Sequence, residues 1–100
     1  LKKGTIVSNK TIDTICDGLR AQIGTKTFPV IKDLVDEIIT IEENEVIDSL
    51  RMIWERLKII VEPSCSIALA LVLKKKHLFK GQNVGLIMSG GNVDLNKLPW

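Results

Sequence analysis

Val84-Gly85-Leu86-Ile87-Met88 runs directly into Ser89-Gly90-Gly91-Asn92-Val93-Asp94, and these eleven residues decide the predicted fold. The apolar run is typical of a buried strand over residues 83–88. In open α/β sheets, ligands bind outside the carboxyl ends of such strands. Two glycines let the backbone approach a bound group closely, because they carry no Cβ. Ser89 and Asn92 add a hydroxyl and an amide, so the sequence predicts a ligand site here. Spacing alone leaves a turn that binds nothing as the alternative.

Two helices precede this predicted strand. Thr40-Ile41-Glu42-Glu43 has the form of a capping box. The apolar residues after it recur on one face and predict an amphipathic helix over about residues 42–59. Glu62-Pro63 ends that helix, because the residue before proline avoids the helical region. Ser64 is predicted to cap a second helix from Cys65 to about His77, which is apolar on all sides between residues 67 and 73 and is therefore expected to be buried on several sides.

The first forty residues predict shorter elements. Thr5-Ile6-Val7 suggests a short strand, and the stretch at residues 14–19 suggests a loop that leads into a short helix ended by Gly24. Pro29 suits the first turn of a short helix that reaches Leu34 or Val35. Residues 36–41 are rich in β-branched side chains and predict a strand. Together the elements predict an α/β fold whose sheet is incomplete as given. The chain starts with Leu1 rather than Met, so we expect a piece of a longer polypeptide.

Composition excludes several classes of function. The chain has 100 residues, enough for one domain or part of one, and a net charge of +2. Its basic residues are dispersed apart from Lys74-Lys75-Lys76, which argues against a nucleic-acid-binding surface. The longest apolar run is far shorter than the ~20 residues that cross a bilayer, so we expect no membrane association. Cys16 and Cys65 show neither metal-ligand spacing nor a CxxC motif, which predicts reduced thiols and a cytoplasmic protein.

Four motifs occur in the order and approximate spacing of one enzyme family. They are Thr14-Ile15-Cys16-Asp17-Gly18-Leu19, Trp54-Glu55-Arg56, Val61-Glu62-Pro63-Ser64 and Ser89-Gly90-Gly91-Asn92-Val93-Asp94. From about Lys10 onward the chain resembles the C-terminal third of the serine/threonine dehydratase and serine racemase family. These enzymes use pyridoxal phosphate (PLP) on the tryptophan-synthase-β-like fold, also called fold type II. The resemblance implies that residues 1–100 are the C-terminal part of the larger, PLP-binding domain, with no separate regulatory domain.

The resemblance also implies roles for individual residues. Ser89 matches the family serine that hydrogen-bonds the pyridine nitrogen of the cofactor. Gly18 matches a glycine whose backbone lies against the cofactor ring. The residues expected to shape the pocket around Ser89 are Gly90, Gly91 and Asn92. The residues expected to be accessory polar groups are Asp17 and Glu62.

The family's remaining machinery has no counterpart here. Its Schiff-base lysine, its glycine-rich phosphate cup and its substrate-carboxylate loop all lie upstream, and no lysine of this chain stands in the required motif. We therefore expect no catalytic residue and no metal ligand within these residues, and we expect the stretch alone to be inactive. A divalent cation could bind through residues outside it.

The resemblance predicts that the parent protein is a PLP-dependent ammonia-lyase, which converts a small β-hydroxy amino acid to a keto acid and ammonia. Serine racemase and threo-3-hydroxyaspartate ammonia-lyase of the same family are the alternatives. A second alternative is a non-catalytic α/β fragment that binds a partner chain through an exposed sheet edge and its apolar helix. The expected partners are a small amino-acid substrate, the remainder of the same polypeptide and a second copy in a homodimer.

Overall fold

The computed structural model describes residues 2–100, and helices are its regular elements. Helix α1 spans Thr27–Leu34, α2 spans Glu43–Leu57 and α3 spans Pro63–Lys74. Two short 3-10 turns lie at Asp17–Leu19 and Lys76–Phe79. Helix α2 packs along α3, and the first 3-10 turn contacts α3. No helix in residues 2–100 combines the length and the apolar character that a bilayer span requires.

Helix α2 is confirmed, but its first turn is not the predicted one. Glu42 is the N-cap and Glu45 completes the capping box, with the Glu42 N–H donating to Glu45 Oε2 at 2.9 Å. The capping box predicted at Thr40-Ile41-Glu42-Glu43 is therefore wrong by two residues, because Glu43 is engaged elsewhere. The helix ends at Leu57 rather than 59, where Lys58 takes the left-handed conformation with φ 59° that closes many helices.

Helix α3 begins two residues earlier than predicted, at Pro63, and its N-cap is Glu62 rather than Ser64. Proline suits this first position because its fixed φ is already helical and its missing N–H would have no partner there. The Cys65 N–H donates to the Glu62 carbonyl at 3.0 Å. Regular α-helix stops at Lys74, and the last predicted turn is the separate 3-10 turn. Helix α1 likewise starts at Thr27, two residues before the predicted Pro29.

The core lies between α2 and α3. Its buried members are Leu50, Ile53, Val61 and Cys65, with Trp54, Leu69 and Met88 packed against them. The Trp54 indole N–H donates to the Val61 carbonyl at 3.0 Å, so the segment that links the two helices is held from α2. Trp54 also contacts the ring of Trp100 edge-on, with ring centroids 5.4 Å apart. The aromatic pair thus ties the carboxyl end of the chain to the core.

The predicted strands do not form. Within residues 2–100 no segment is assigned as a strand, including residues 5–7, 36–41 and 83–88. A strand exists only when its backbone pairs with a neighbour in a ladder. The Glu62 N–H donates to the Gly90 carbonyl at 3.1 Å, but a single such bond makes no ladder. The α/β class is therefore not confirmed by these residues.

Apolar surface is abundant on the described chain. Leu34 is 76% exposed, Ile38 61% and Ile87 83%. Of residues 67–73 in α3, only Ala70 is fully buried, so the predicted burial on several sides is wrong here. The reason is geometric, because α2 and the first 3-10 turn cover α3 only in part and leave the other residues of 67–73 half-buried.

Glu45 ties the start of α2 to the end of α3, since Lys74 Nζ lies 2.7 Å from Glu45 Oε2. The hydrogen bond from Lys74 lowers the pKa of Glu45 from its ordinary value of 4.5. Because the folded-state pKa is lowered, the pair stabilises the fold above pH 4.5, and this contribution is lost as the pH falls through the folded-state pKa.

We expect Glu45→Gln to destabilise the fold modestly at pH 7 and to weaken the loss of stability in acid. Glutamine keeps an acceptor for the Glu42 N–H, so the capping box survives the substitution. Urea unfolding of the complete polypeptide at pH 7 and pH 3 measures the effect. Asp48→Asn, which removes a carboxylate at an exposed position of the same helix, is the matched control. An acid dependence identical to that of the wild type would contradict the prediction.

Candidate functional site

Ser89 is exposed at the end of an apolar segment that is anchored in the core. The anchor is Met88, whose Sδ lies 3.6 Å from Cys65 Sγ of α3. Exposure alternates along the segment, with Leu86 and Met88 half-buried and Ile87 and Ser89 exposed. This alternation is that of an extended chain, in which neighbouring side chains point to opposite sides. Ser89 thus follows a residue that is packed in the core, and its side chain is accessible to a ligand.

Glu62 lies beside the residue that follows Ser89. A Cβ placed on Gly90 would stand 3.1 Å from Glu62 Oε1. Glu62 is the N-cap of α3, yet its side chain makes no capping hydrogen bond. Its carboxylate therefore lies next to Gly90 instead of being used by the helix. The structure brings together Glu62 and Gly90, two residues that come from different motifs.

Two of the predicted site glycines are required by contacts within the chain. A Cβ on Gly91 would stand 2.6 Å from the Ile60 carbonyl oxygen, closer than real Cβ atoms come. A Cβ on Gly18 would stand 2.9 Å from Ser64 Oγ at the start of α3. Glycine at 91 lets the segments 60–62 and 90–91 touch, and glycine at 18 lets the 3-10 turn lie against α3. These close contacts account for both glycines without a ligand.

A cleft of about 490 Å³ lies between the 3-10 turn and the chain after Ser89. Asp17 and Arg20 line one wall, Asn92 and Asp94 line the other, and Pro63 also contributes. Asp17 and Asn92, predicted from separate motifs, thus share one cleft. Ser89, Gly18 and Glu62 are not among its lining residues. Across the described part of the chain, no group of three or more His, Cys, Asp or Glu side chains could hold a metal ion.

The loop of residues 14–20, which carries Asp17 and Gly18, is attached to the first residue of α2. The Thr14 hydroxyl and the Ile15 N–H both donate to the Glu43 carboxylate, the latter at 3.0 Å. Sequence reasoning missed this role of Glu43 because the contacts join residues 28 and 29 positions apart. The helical periodicity of the sequence gives no information about such a contact, and the local pattern favours a capping role for Glu43 instead.

Cys16 is buried inside the same loop, with 1% of its surface exposed. Burial raises the pKa of its thiol, and the nearby carboxylates of Glu43 and Asp17 act in the same direction against the hydrogen bond from Thr14. The neutral thiol is therefore favoured at pH 7, and the nucleophilic thiolate is scarce. Cys65 is free and buried in the core.

Comparison with known proteins places this chain in a family. Residues 1–90 match the model of the family described as pyridoxal-phosphate dependent enzyme. The chain belongs to this family. The chain is 41% identical over 99 residues to a beta-hydroxyaspartate dehydratase of Paracoccus denitrificans, with 99% of this chain and 31% of that protein covered. It is 45% identical over 100 residues to a serine racemase of Arabidopsis thaliana, with 95% and 30% covered.

Part of the solved structure of maize serine racemase is similar to nearly all of this chain. The TM-score is 0.86 at 40% sequence identity, and the match covers 95% of this chain and 31% of the maize chain. The predicted resemblance to PLP-dependent enzymes of fold type II is therefore confirmed. The chain spans about a third of the length of the curated relatives it matches, 31% and 30% in the two cases above. The family's cofactor is PLP.

The groups present fit the ring end of this cofactor. A hydroxyl can donate a hydrogen bond to a pyridine nitrogen, and Ser89 is exposed. Gly90 next to it leaves room for the Glu62 carboxylate, since a Cβ at that position would stand 3.1 Å from Oε1. Asp17 and Asn92 supply polar groups to a cleft large enough for a small molecule.

Proposed function

We propose that residues 1–100 form the C-terminal part of the larger domain of a PLP-dependent ammonia-lyase. The enzyme would convert a small β-hydroxy amino acid to a keto acid and ammonia. The observation that supports this most is the exposed Ser89 hydroxyl at the end of an anchored segment, in a chain 41% identical to a dehydratase of this type. In the complete protein we propose that residues 36–41 and 83–88 join a sheet whose other strands lie outside this stretch.

When bound, PLP draws electron density away from the substrate Cα. The Ser89 hydroxyl would hold the ring nitrogen by a hydrogen bond without giving it a full proton, since an alcohol is far too weak an acid. A carboxylate at the same place would keep that nitrogen protonated. The hydroxyl thus moderates electron withdrawal, which favours departure of the β-hydroxyl over reprotonation at Cα. Gly18 would face the ring, while Gly90, Gly91 and Asn92 would shape the pocket.

The accessory groups would act at the edge of the same site. Asp17 and Asn92 would orient polar parts of a small amino-acid substrate, and their shared position along the cleft supports this role. Glu62 would keep a negative charge beside Gly90. These residues bind and orient, whereas proton removal at Cα and any divalent cation would depend on residues outside this stretch.

Serine racemase is the second candidate function. The observation in its favour is the 45% identity to the Arabidopsis thaliana racemase together with the maize structure. Both reactions begin with removal of the same α-proton, so the residues of this stretch serve either outcome. Hydroxyaspartate is a further candidate substrate because of the similarity to the Paracoccus denitrificans dehydratase.

A non-catalytic role as a partner-binding fragment has one supporting observation, the exposed apolar surface around Leu34 and Ile38. We propose instead that the remainder of the same polypeptide covers this surface, and that two such polypeptides form a homodimer. We also propose a cytosolic setting, because both Cys16 and Cys65 are free thiols.

One assay tests these proposals together. The complete polypeptide is incubated with PLP and with L-serine, L-threonine or L-threo-3-hydroxyaspartate, and keto acid, ammonia and D-amino acid are measured. Keto acid and ammonia in equal amounts support the ammonia-lyase, and D-serine as the main product supports the racemase. A complete protein that gains no visible absorbance from PLP and turns over none of the three substrates would contradict both.

A further inference from the structure

We propose that Glu43 is a positioning residue: its carboxylate holds the loop of residues 14–20 and so places Asp17 at the cleft and Gly18 against the start of α3. The effect on cofactor binding rests on the proposed function, whereas the effect on the loop does not. Glu43 lies outside all four sequence motifs.

The carboxylate of Glu43 uses both of its oxygens on the loop. Oε1 accepts from the Thr14 hydroxyl, and Oε2 accepts from the Ile15 N–H at 3.0 Å. Hydrogen bonds to an ionised acceptor are shorter and stronger than neutral ones. A two-point attachment also fixes the direction in which the chain leaves Ile15, one residue before the buried Cys16 and two before Asp17.

Thr14 connects this attachment to the rest of the loop through further hydrogen bonds. Its hydroxyl oxygen accepts from the Cys16 N–H at 3.1 Å. Its carbonyl accepts from Arg20 Nη2 at 2.7 Å and from Arg20 Nε at 3.3 Å. The two ends of the loop, Thr14 and Arg20, are thus joined directly, and Asp17 and Gly18 lie between them. Removing the Thr14 hydroxyl breaks one of the two links to Glu43 and the bond from the Cys16 N–H together.

Helix α2 leaves Glu43 free for this task and keeps it still. The capping box at the start of α2 is made by Glu42 and Glu45, so the helix does not need the Glu43 side chain. Val46 and Leu50, on the following turns, are buried, which fixes the helix against the core. A group held by a rigid, well-packed element positions its partner more accurately than one on a mobile loop.

The two cysteines report on this attachment without any ligand. Cys16 sits inside the loop at 1% exposure, and Cys65 sits in the core at 2%. A thiol reagent reaches a buried cysteine only when its surroundings open. Opening of the loop alone therefore speeds the labelling of Cys16, whereas opening of the whole fold speeds the labelling of both.

The experiment uses the complete polypeptide and four variants. Glu43→Ala removes both acceptors of the attachment and Thr14→Val removes its hydroxyl donor, whereas Thr14→Ser keeps the hydroxyl and Glu45→Gln removes a different ion pair of α2. Iodoacetamide labelling is followed by peptide mass spectrometry, which assigns the rate to Cys16 or Cys65. PLP affinity is measured by absorbance titration. We expect Cys16 labelling to rise about tenfold and PLP affinity to fall about tenfold in the first two variants, with both unchanged in Thr14→Ser and Glu45→Gln.

Three results would overturn the inference. They are unchanged Cys16 labelling in Thr14→Val, equal acceleration of Cys16 and Cys65, and faster Cys16 labelling with no change in PLP affinity. A wild-type protein that binds no PLP would overturn the proposed function instead. The labelling rates would then still decide whether Glu43 holds the loop.

Discussion

Gly91→Ala is expected to destabilise the folded protein by about 3 kcal/mol, at the upper end of the usual cost of overpacking. The new methyl group would stand 2.6 Å from the Ile60 carbonyl oxygen, which is a backbone atom and cannot swing aside. The chain next to it is held on both sides. The Val61 carbonyl accepts from Trp54 at 3.0 Å, and the Glu62 N–H donates to the Gly90 carbonyl at 3.1 Å. Relief of the collision breaks at least one of these bonds.

Two neighbouring glycines provide matched controls for this prediction. A Cβ on Gly85 meets nothing within 4 Å, so Gly85→Ala is expected to change stability little. A Cβ on Gly90 meets the end of the Glu62 side chain at 3.1 Å, which can rotate away. Urea unfolding of the complete polypeptide ranks the three variants. A Gly91→Ala variant as stable as Gly85→Ala would show that the segments 60–62 and 90–91 do not touch in this way.

The helices were predictable because their signals are local. The apolar period that ends at Leu57 and the proline at 63 suffice to place α2 and α3. Their N-caps were each misplaced by two residues, since more than one polar residue before each helix can cap it. Glu42 is the N-cap of α2 because the Glu45 side chain, three residues later, completes a capping box with it. Glu62 is the N-cap of α3 because proline occupies the first helical position.

The strands were not predictable from composition alone, because a strand needs a partner as well as a suitable sequence. Residues 83–88 have the β-branched, apolar character of a strand, and Met88 and Ser89 keep its alternation. Among the described residues the segment has one backbone bond to its neighbour, through Gly90. The strand-like sequence of residues 83–88 therefore gives an extended segment that pairs with no neighbouring strand in a ladder.

Sequence motifs predicted individual residues of the candidate site, but they did not predict the long-range contacts that bring those residues together. The motifs of Asp17 and Asn92 were read separately, and the structure places both residues in one cleft. The attachment of the loop to Glu43 spans 28 and 29 residues, a distance over which no local pattern gives information. The need for glycine at 91 likewise comes from Ile60, a contact that only the folded chain shows.

Ser89→Asp is expected to lower keto-acid formation by about 10- to 100-fold and to raise the proportion of D-amino acid. A carboxylate opposite the ring nitrogen would keep that nitrogen protonated. A hydrogen bond to a charged group is stronger than one between neutral groups, and the difference is large enough to account for the expected 10- to 100-fold change. Stronger electron withdrawal stabilises negative charge at Cα, which allows reprotonation before the β-hydroxyl leaves. Keto acid and D-amino acid are measured side by side on L-serine with the complete PLP-loaded polypeptide.

Two further variants separate charge from the loss of the hydroxyl. Ser89→Ala removes the hydrogen bond without adding charge, so turnover is expected to fall about 3- to 10-fold with little change in the product ratio. Ser89→Thr keeps the hydroxyl at an exposed position and is expected to restore most of the activity. If Ser89→Asp and Ser89→Ala lost the same activity with the same product ratio, the side chain at 89 would not face the ring nitrogen. The ring would then be held by other groups, because a carboxylate and a methyl group cannot act alike on a basic nitrogen within hydrogen-bonding distance.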